Sequence, residues 1–239
     1  MWLALETSGD RASVAVGEPG RVLAEESLVG ARRHAGALLP MVHRALAAAG
    51  AGLDAIAAVA VADGPGSFTG LRVGASVGKA LAHAHGLPLW AAPSLMVLAA
   101  GAAIDDGVPI AALTDALRGD VYLGVYAFAD GAVETIVPAS VRRPAEAVGL
   151  IPARARVVAP VPPVVLDALE AAGLRVEGTT PTDGPRASAL LRLAGQRGGA
   201  ARVESPDLWE PAYGRPAEAQ VRWEQAHGRA LPHSSGARE

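Results

Sequence analysis

The 239-residue sequence contains no cysteine. That excludes disulfides, thiolate zinc sites and cysteine nucleophiles together, and nothing in it opposes a reducing compartment. Aromatic residues make up only 4% of the chain, and Lys79 is the sole lysine among 21 basic residues. This arginine, glycine and alanine bias reflects coding composition more than chemistry. A net charge of −3 leaves no extended basic field, so the chain alone should bind phosphate backbones poorly. No stretch approaches the roughly 18 apolar residues of a membrane span. The opening MWLALETSGDR has neither a basic leader nor a cleavage site. A soluble, cytoplasmic protein with no membrane contact is expected.

What is present is an ordinary core-forming composition, 51% apolar, and a regular alternation of element types. Trp2 to Thr7, Ala12 to Val16 and Val22 to Leu28 read as three strands joined by tight turns. From His34 to Ala49, Leu38, Leu39, Val42, Ala45, Leu46 and Ala49 recur at helical spacing, with Pro40 as a kink or a first-turn residue. Ile56 to Ala62 is a buried strand, and a helix follows from about Leu71 to His85, stopped by Gly86. A strand near Leu87 to Ala91 and a helix from Ser94 to Ala103 complete the order βββαβα, an α/β pattern with a mixed sheet.

The order begins again at Ile110 to Thr114. A hairpin of Asp120 to Phe128 and Ala132 to Val137 follows, with remnants at Val157-Val158, Val164 to Ala172, Leu174 to Val176 and Ala187 to Gln196. The expected division is a first lobe over 1–105, a smaller one over 106–227 and a disordered tail over 228–239.

Between the fourth strand and its helix lies GPGSFTGLRVG, Gly64 to Gly74. It is not a P-loop, because Leu71 and Arg72 follow Gly70 where lysine and a hydroxyl are required. It also misses the dinucleotide fingerprint by one residue. Gly74-Ala75-Ser76-Val77-Gly78 matches G-x-S-x-G, but a nucleophile elbow needs its serine on a strained strand-to-helix turn, and Ser76 falls inside the helix. The histidines do not pair for metal: His34 and His43 lie on opposite helix faces, and His83 and His85 point apart. A helix N-terminus can still bind an anion, so a phosphate contact stays open beside a structural role with Thr69 as helix cap. Gly70, Gly74 and Gly78 then form a bare stripe, each costing about 1 kcal/mol relative to alanine, which points to close approach of another backbone, with the chain's glycine-rich composition as the alternative reading. That neighbour belongs either to this chain or to a second protein.

LALETS, RRHAGALLP, DGPGSFTGLRVG, APSL, TDALRGDVY and EPAYGR together resemble the TsaB family, also called YeaZ. The resemblance implies an actin-like ATPase (ribonuclease H-like) fold of two lobes, each a mixed βββαβα sheet. It also implies a part in making threonylcarbamoyl-adenosine in bacterial tRNA. The related transferase TsaD carries N-H-L-E-G-H as a metal motif; Ser94 and Leu98 stand where its histidines would be, so no metal and no catalytic residue is assigned. Glu6, Thr7 and Ser8 match the acidic-Thr-Ser hairpin that faces nucleotide in actin-like ATPases and are the candidate nucleotide contacts. No cofactor is called.

The implied role is a non-catalytic partner of TsaD, in an assembly with TsaE that modifies adenosine 37, with tRNA contacted only indirectly. The surface assigned to TsaD, or to a second copy of this chain, comprises Leu38, Leu39, Val42 and Leu46 on one helix. On the other it comprises Gly70, Arg72, Val73, Gly74, Val77, Gly78 and Leu81. The rival classes are a peptidase-like hydrolase, through Ser76 or zinc, and a small-molecule kinase of the actin-like superfamily.

Overall fold

Alternate residues of the first strand differ in size. In β1 (Trp2–Glu6), Leu3 and Leu5 point to one face of the sheet and Ala4 to the other. The same division holds for Val14 and Val16 against Ala15 in β2 (Arg11–Glu18), and for Val59 and Val61 against Ala60 and Ala62 in β4 (Ala58–Ala62). The branched face packs under two helices, α1 (His34–Ala48) and α2 (Phe68–His85). The alanine face lets other helices approach closely.

The computed structural model describes residues 1–30, 34–103, 106–177, 180, 184–215, 223 and 226–228. β3 (Arg21–Val29), β5 (Leu89–Ala92) and α3 (Ser94–Ala102) complete the first unit. β1, β2 and β3 form an antiparallel meander, and β4 and β5 run parallel on the other side of β1.

The second half repeats the order with β6 (Ile110–Asp115), β7 (Val121–Ala129), β8 (Ala132–Arg142), α4 (Pro144–Leu150), β9 (Arg156–Val158), α5 (Pro163–Ala171), β10 (Val176–Glu177) and α6 (Ala187–Ala194). Its sheet order, β10-β9-β6-β7-β8, is that of the first sheet, β5-β4-β1-β2-β3. The two sheets are therefore copies of one mixed βββαβα plan. α3 packs on the second sheet and α6 on the first, so these two helices fill the space between the sheets, while α4 and α5 cover the far side. Arg192 ties the pair together by donating to the carbonyls of Ala100 (3.3 Å) and Ala103 (2.6 Å).

Several readings change in detail. α2 starts at Phe68, and its cap is Ser67, whose Oγ accepts from the Gly70 N–H at 3.2 Å; Thr69 is exposed in the first turn. Pro40 lies inside α1. α4 and the two-residue β11 (Ala201–Arg202), which pairs antiparallel with β5, have no counterpart among the expected elements. Residues 187–202, placed with the second half by sequence order, return to the first sheet as α6 and β11. The tail expected from Gly228 falls, from 229 on, outside the described residues.

After β11 the chain runs as a strap from Val203 to Arg215 across the edge of the first sheet and the start of α2. The Val203 N–H donates to the Leu89 carbonyl at 2.8 Å, Lys79 Nζ to the Trp209 carbonyl at 2.8 Å, and the Ala212 N–H to the Asp63 carbonyl at 2.6 Å.

Candidate functional site

Between the two sheets opens a cleft of about 1520 Å³. One wall is built from the β1–β2 hairpin (Ser8, Gly9, Asp10), the glycine loop (Pro65 to Thr69) and Ser94 at the start of α3. The other carries Thr114 and Asp115 at the end of β6, Tyr122, and an apolar bank of Val141, Pro160, Val161, Pro162, Pro163 and Leu166. Arg215, the end of the strap, stands at the rim.

Several polar groups of the first wall are engaged with one another. The Ser67 N–H donates to the Ser8 carbonyl (2.7 Å), the Gly64 N–H to Ser94 Oγ (3.0 Å), and the Ser94 N–H to the Gly64 carbonyl (2.7 Å). The Gly70 N–H is taken by Ser67 Oγ. A loop that cradles phosphate presents such donors to the ligand; here those of Gly64, Ser67 and Gly70 are turned inward.

Glu6 is fully buried, accepts from the Ser8 N–H at 2.6 Å through Oε1, and has no partner for Oε2 among the described residues. Burial pushes its carboxyl up to about 7, against the opposing hydrogen bonds from Ser8 and Thr7. Thr7 Oγ1 donates to the Gly70 carbonyl at 2.7 Å. Of the three hairpin residues picked out as nucleotide contacts, only Ser8 lines the cleft.

The glycine stripe has its neighbour inside the chain. A Cβ at Gly70 would strike the Thr7 carbonyl oxygen, one at Gly74 would strike Thr7 Oγ1, and one at Gly78 would come within 2.6 Å of Val61 Cγ1. Leu38, Val42 and Leu46 are likewise core, at 0%, 3% and 6% exposure. Val73, Val77 and Leu81 are half-buried against the same cluster. From the surface set only Leu39, at 55%, and Arg72 are well exposed. The reason is physical: the apolar face of an amphipathic helix is the face its own sheet claims first.

The outward line of α2 is Thr69, Arg72, Ser76, Ala80 and His83, and that of α1 includes Ala35, Leu39, His43 and Ala47. Ser76 is exposed on this line, and no base is hydrogen-bonded to its hydroxyl among the described residues. Ser94 is buried at the helix start and Leu98 is core, and no group of three or more potential metal-ligating side chains occurs among the described residues.

An aromatic cluster at the cleft edge is not apparent from sequence spacing. Tyr213 of the strap packs on Phe68 (centroids 4.6 Å apart) and receives a hydrogen bond from Arg72 Nε at 3.3 Å. The Tyr122 hydroxyl donates to the Tyr213 carbonyl at 3.3 Å, and Arg215 pairs with Asp120. Burial raises the Tyr122 phenol above its ordinary value, with Arg215 opposing and Asp115 adding. The only hint in the sequence is that these residues fall within DGPGSFTGLRVG, TDALRGDVY and EPAYGR.

Two mixed βββαβα sheets with a cleft between them, entered by a hairpin from β1 and a loop from β4, define an actin-like, ribonuclease H-like protein. The family model described as TsaD, tRNA N6-adenosine threonylcarbamoyltransferase, matches residues 22–178. Among solved structures, YeaZ from Pseudomonas aeruginosa is 32% identical, with a TM-score of 0.69 over 81% of this chain and 91% of that one. A second, a protein with similarity to peptidase YeaZ from the same organism, is 31% identical, with a TM-score of 0.72 over 90% and 99%. The chain belongs to the TsaB/YeaZ family, within the wider family that the matching model describes.

The curated relative in Bacillus subtilis, tRNA threonylcarbamoyladenosine biosynthesis protein TsaB, is 35% identical over 57% of this chain and 59% of its own length. Its Escherichia coli counterpart of the same name is 38% identical over 52% and 54%. The chain thus spans little more than half the length of the curated relatives it matches.

Proposed function

We propose that this chain works in tRNA threonylcarbamoyladenosine biosynthesis as a non-catalytic partner of a TsaD-type transferase, in a cytoplasmic assembly that also contains TsaE. The observation that carries the reading is the inward closure of the glycine loop: Gly64, Ser67, Gly70 and Ser94 satisfy one another or the β1–β2 hairpin. A wall built this way holds its own shape, with three of the loop's N–H donors withdrawn from the cleft. The names and fold of the relatives support the pathway.

The docking face is the outward side of α1 and α2, now carried by Leu39, Arg72, Ser76 and Ala80, with the flanks of Val73, Val77 and Leu81. Ser76, Ala80, Ala35 and Ala47 are small, so a partner's helices can approach closely in a four-helix contact. The same face pairs two copies when the transferase is absent. The glycines contribute indirectly, by seating α2 against the sheet. This chain then supplies shape and stability, and the partner supplies the atoms that make and break bonds. tRNA meets it only through the assembly.

The test is co-purification with the TsaD-type transferase of the same organism, followed by a tRNA modification assay with and without this chain. Modification that depends on the chain, with no peptide or ATP hydrolysis by the chain alone, is the expected result. Full modification in its absence refutes the proposal.

A further inference from the structure

α1 and α2 together contain no aspartate or glutamate, although the whole chain has 24 acidic residues and a net charge of −3. Their cationic side chains are Arg44, Arg72 and Lys79, with His34, His43, His83 and His85 beside them. Arg44 is paired with Glu26 at 3.2 Å, and Lys79 is held by the strap carbonyls of Asp207 and Trp209. His34 is buried against the Asp10 carbonyl. That leaves Arg72 as the arginine or lysine of this layer with no carboxylate and no carbonyl partner among the described residues.

Arg72 is nonetheless held in place. Its guanidinium lies over the Phe68 ring at 4.1 Å from the centroid and 5.7 Å from that of Tyr213, and Nε donates to the Tyr213 hydroxyl. Stacking on two rings fixes the plane of the fork while the remaining N–H donors stay available, so little side-chain entropy is left to lose on binding. An exposed, pre-oriented arginine on an acid-free helical face matches a carboxylate in bidentate geometry. RNA is the poorer match, since phosphate backbones draw on clustered cations and, among the described residues, these two helices carry one arginine or lysine without a carboxylate or carbonyl partner.

We infer that Arg72 is the polar anchor of the docking face, and that the partner surface seated there is a protein surface presenting an aspartate or glutamate to it. The inference rests on the docking face proposed above and adds the chemistry of what it recognises. Tyr213 is a positioning residue for that anchor.

The test is the dissociation constant for the TsaD-type transferase of the same organism, measured with wild type, Arg72→Ala, Arg72→Lys, Arg72→Glu and Tyr213→Phe. Arg72→Ala should weaken binding by roughly tenfold or more, and Arg72→Glu further. Arg72→Lys should not restore wild-type affinity, because an ammonium lacks the planar fork. Tyr213→Phe, which keeps the ring and loses only the hydroxyl, should weaken binding by a smaller factor. Affinity should fall with added salt in the wild type and much less in Arg72→Ala. A lysine in place of the partner's acidic residue should rescue Arg72→Glu.

Arg72→Ala and Arg72→Glu binding within about twofold of wild type would overturn the anchor while leaving the docking face intact. Failure of the wild-type chain to bind would instead remove the docking reading itself. Loss of tRNA binding without loss of protein binding in Arg72→Glu would assign the arginine to nucleic acid and also overturn the inference.

Discussion

Glu6 sits at the end of β1 with one carboxyl oxygen satisfied and the other enclosed without a partner among the described residues. Its proton is held up to about 7 in the folded chain against an ordinary 4.5. The folded state therefore binds more protons than the unfolded state between those values, and folding stability falls as pH rises from about 4.5 to about 7, then levels off. The penalty at alkaline pH is on the order of 3 kcal/mol. Glu6→Gln removes the titration, so its melting temperature should gain on wild type as pH rises from roughly 5 to 8. Calorimetry of both chains across that range checks it, and a constant difference would show that Glu6 does not titrate there.

At the scale of elements, α2 has two faces with opposite tolerance. Gly74→Ala places a methyl against Thr7 Oγ1, which is committed to the Gly70 carbonyl. Overpacking of about 1–3 kcal/mol then outweighs the gain of roughly 1 kcal/mol in helix propensity. A lower melting temperature is expected. Ala80 is exposed, so Ala80→Trp should leave melting unchanged and abolish binding of the transferase. Reversal of these two outcomes would mean that the stripe, not the outer line, meets the partner.

This contrast also marks how far the sequence was legible. Periodicity located α1, α2 and the strands because each alternation or helical repeat is local. The spacing of Gly70, Gly74 and Gly78 announced a close approach but could not say that Thr7 and Val61 lie on the other side. Leu38, Val42 and Leu46 formed an apolar stripe that looks the same whether it meets a sheet or a partner. The two-residue β11 exists only because β5 pairs with it, and the Phe68, Arg72 and Tyr213 cluster joins positions far apart in the chain.

For the whole molecule, the strap joins the two sheets in addition to the α3–α6 pair and the bridge of Ala132 to Arg197. Tyr213 binds Phe68 on one side and Tyr122 on the other, and Arg215 closes on Asp120. These contacts bridge the two walls of the cleft and are expected to set its width. Spin labels at Thr69→Cys and Val164→Cys would report it, and the absence of native cysteine keeps the labelling specific. One narrow distance distribution is expected for the otherwise wild-type chain, and a longer or broader one when Tyr213→Ala and Arg215→Ala are added. An unchanged distribution would leave the width to the other contacts between the sheets, α3 and α6 among them.

The return of α6 has a further consequence during synthesis. Until residue 194 has left the ribosome, the nascent chain shows the bare alanine underside of its first sheet, and β5 waits still longer for β11. A ribosome stalled between α3 and α6 would therefore display an uncovered apolar layer, the kind of surface that general chaperones hold.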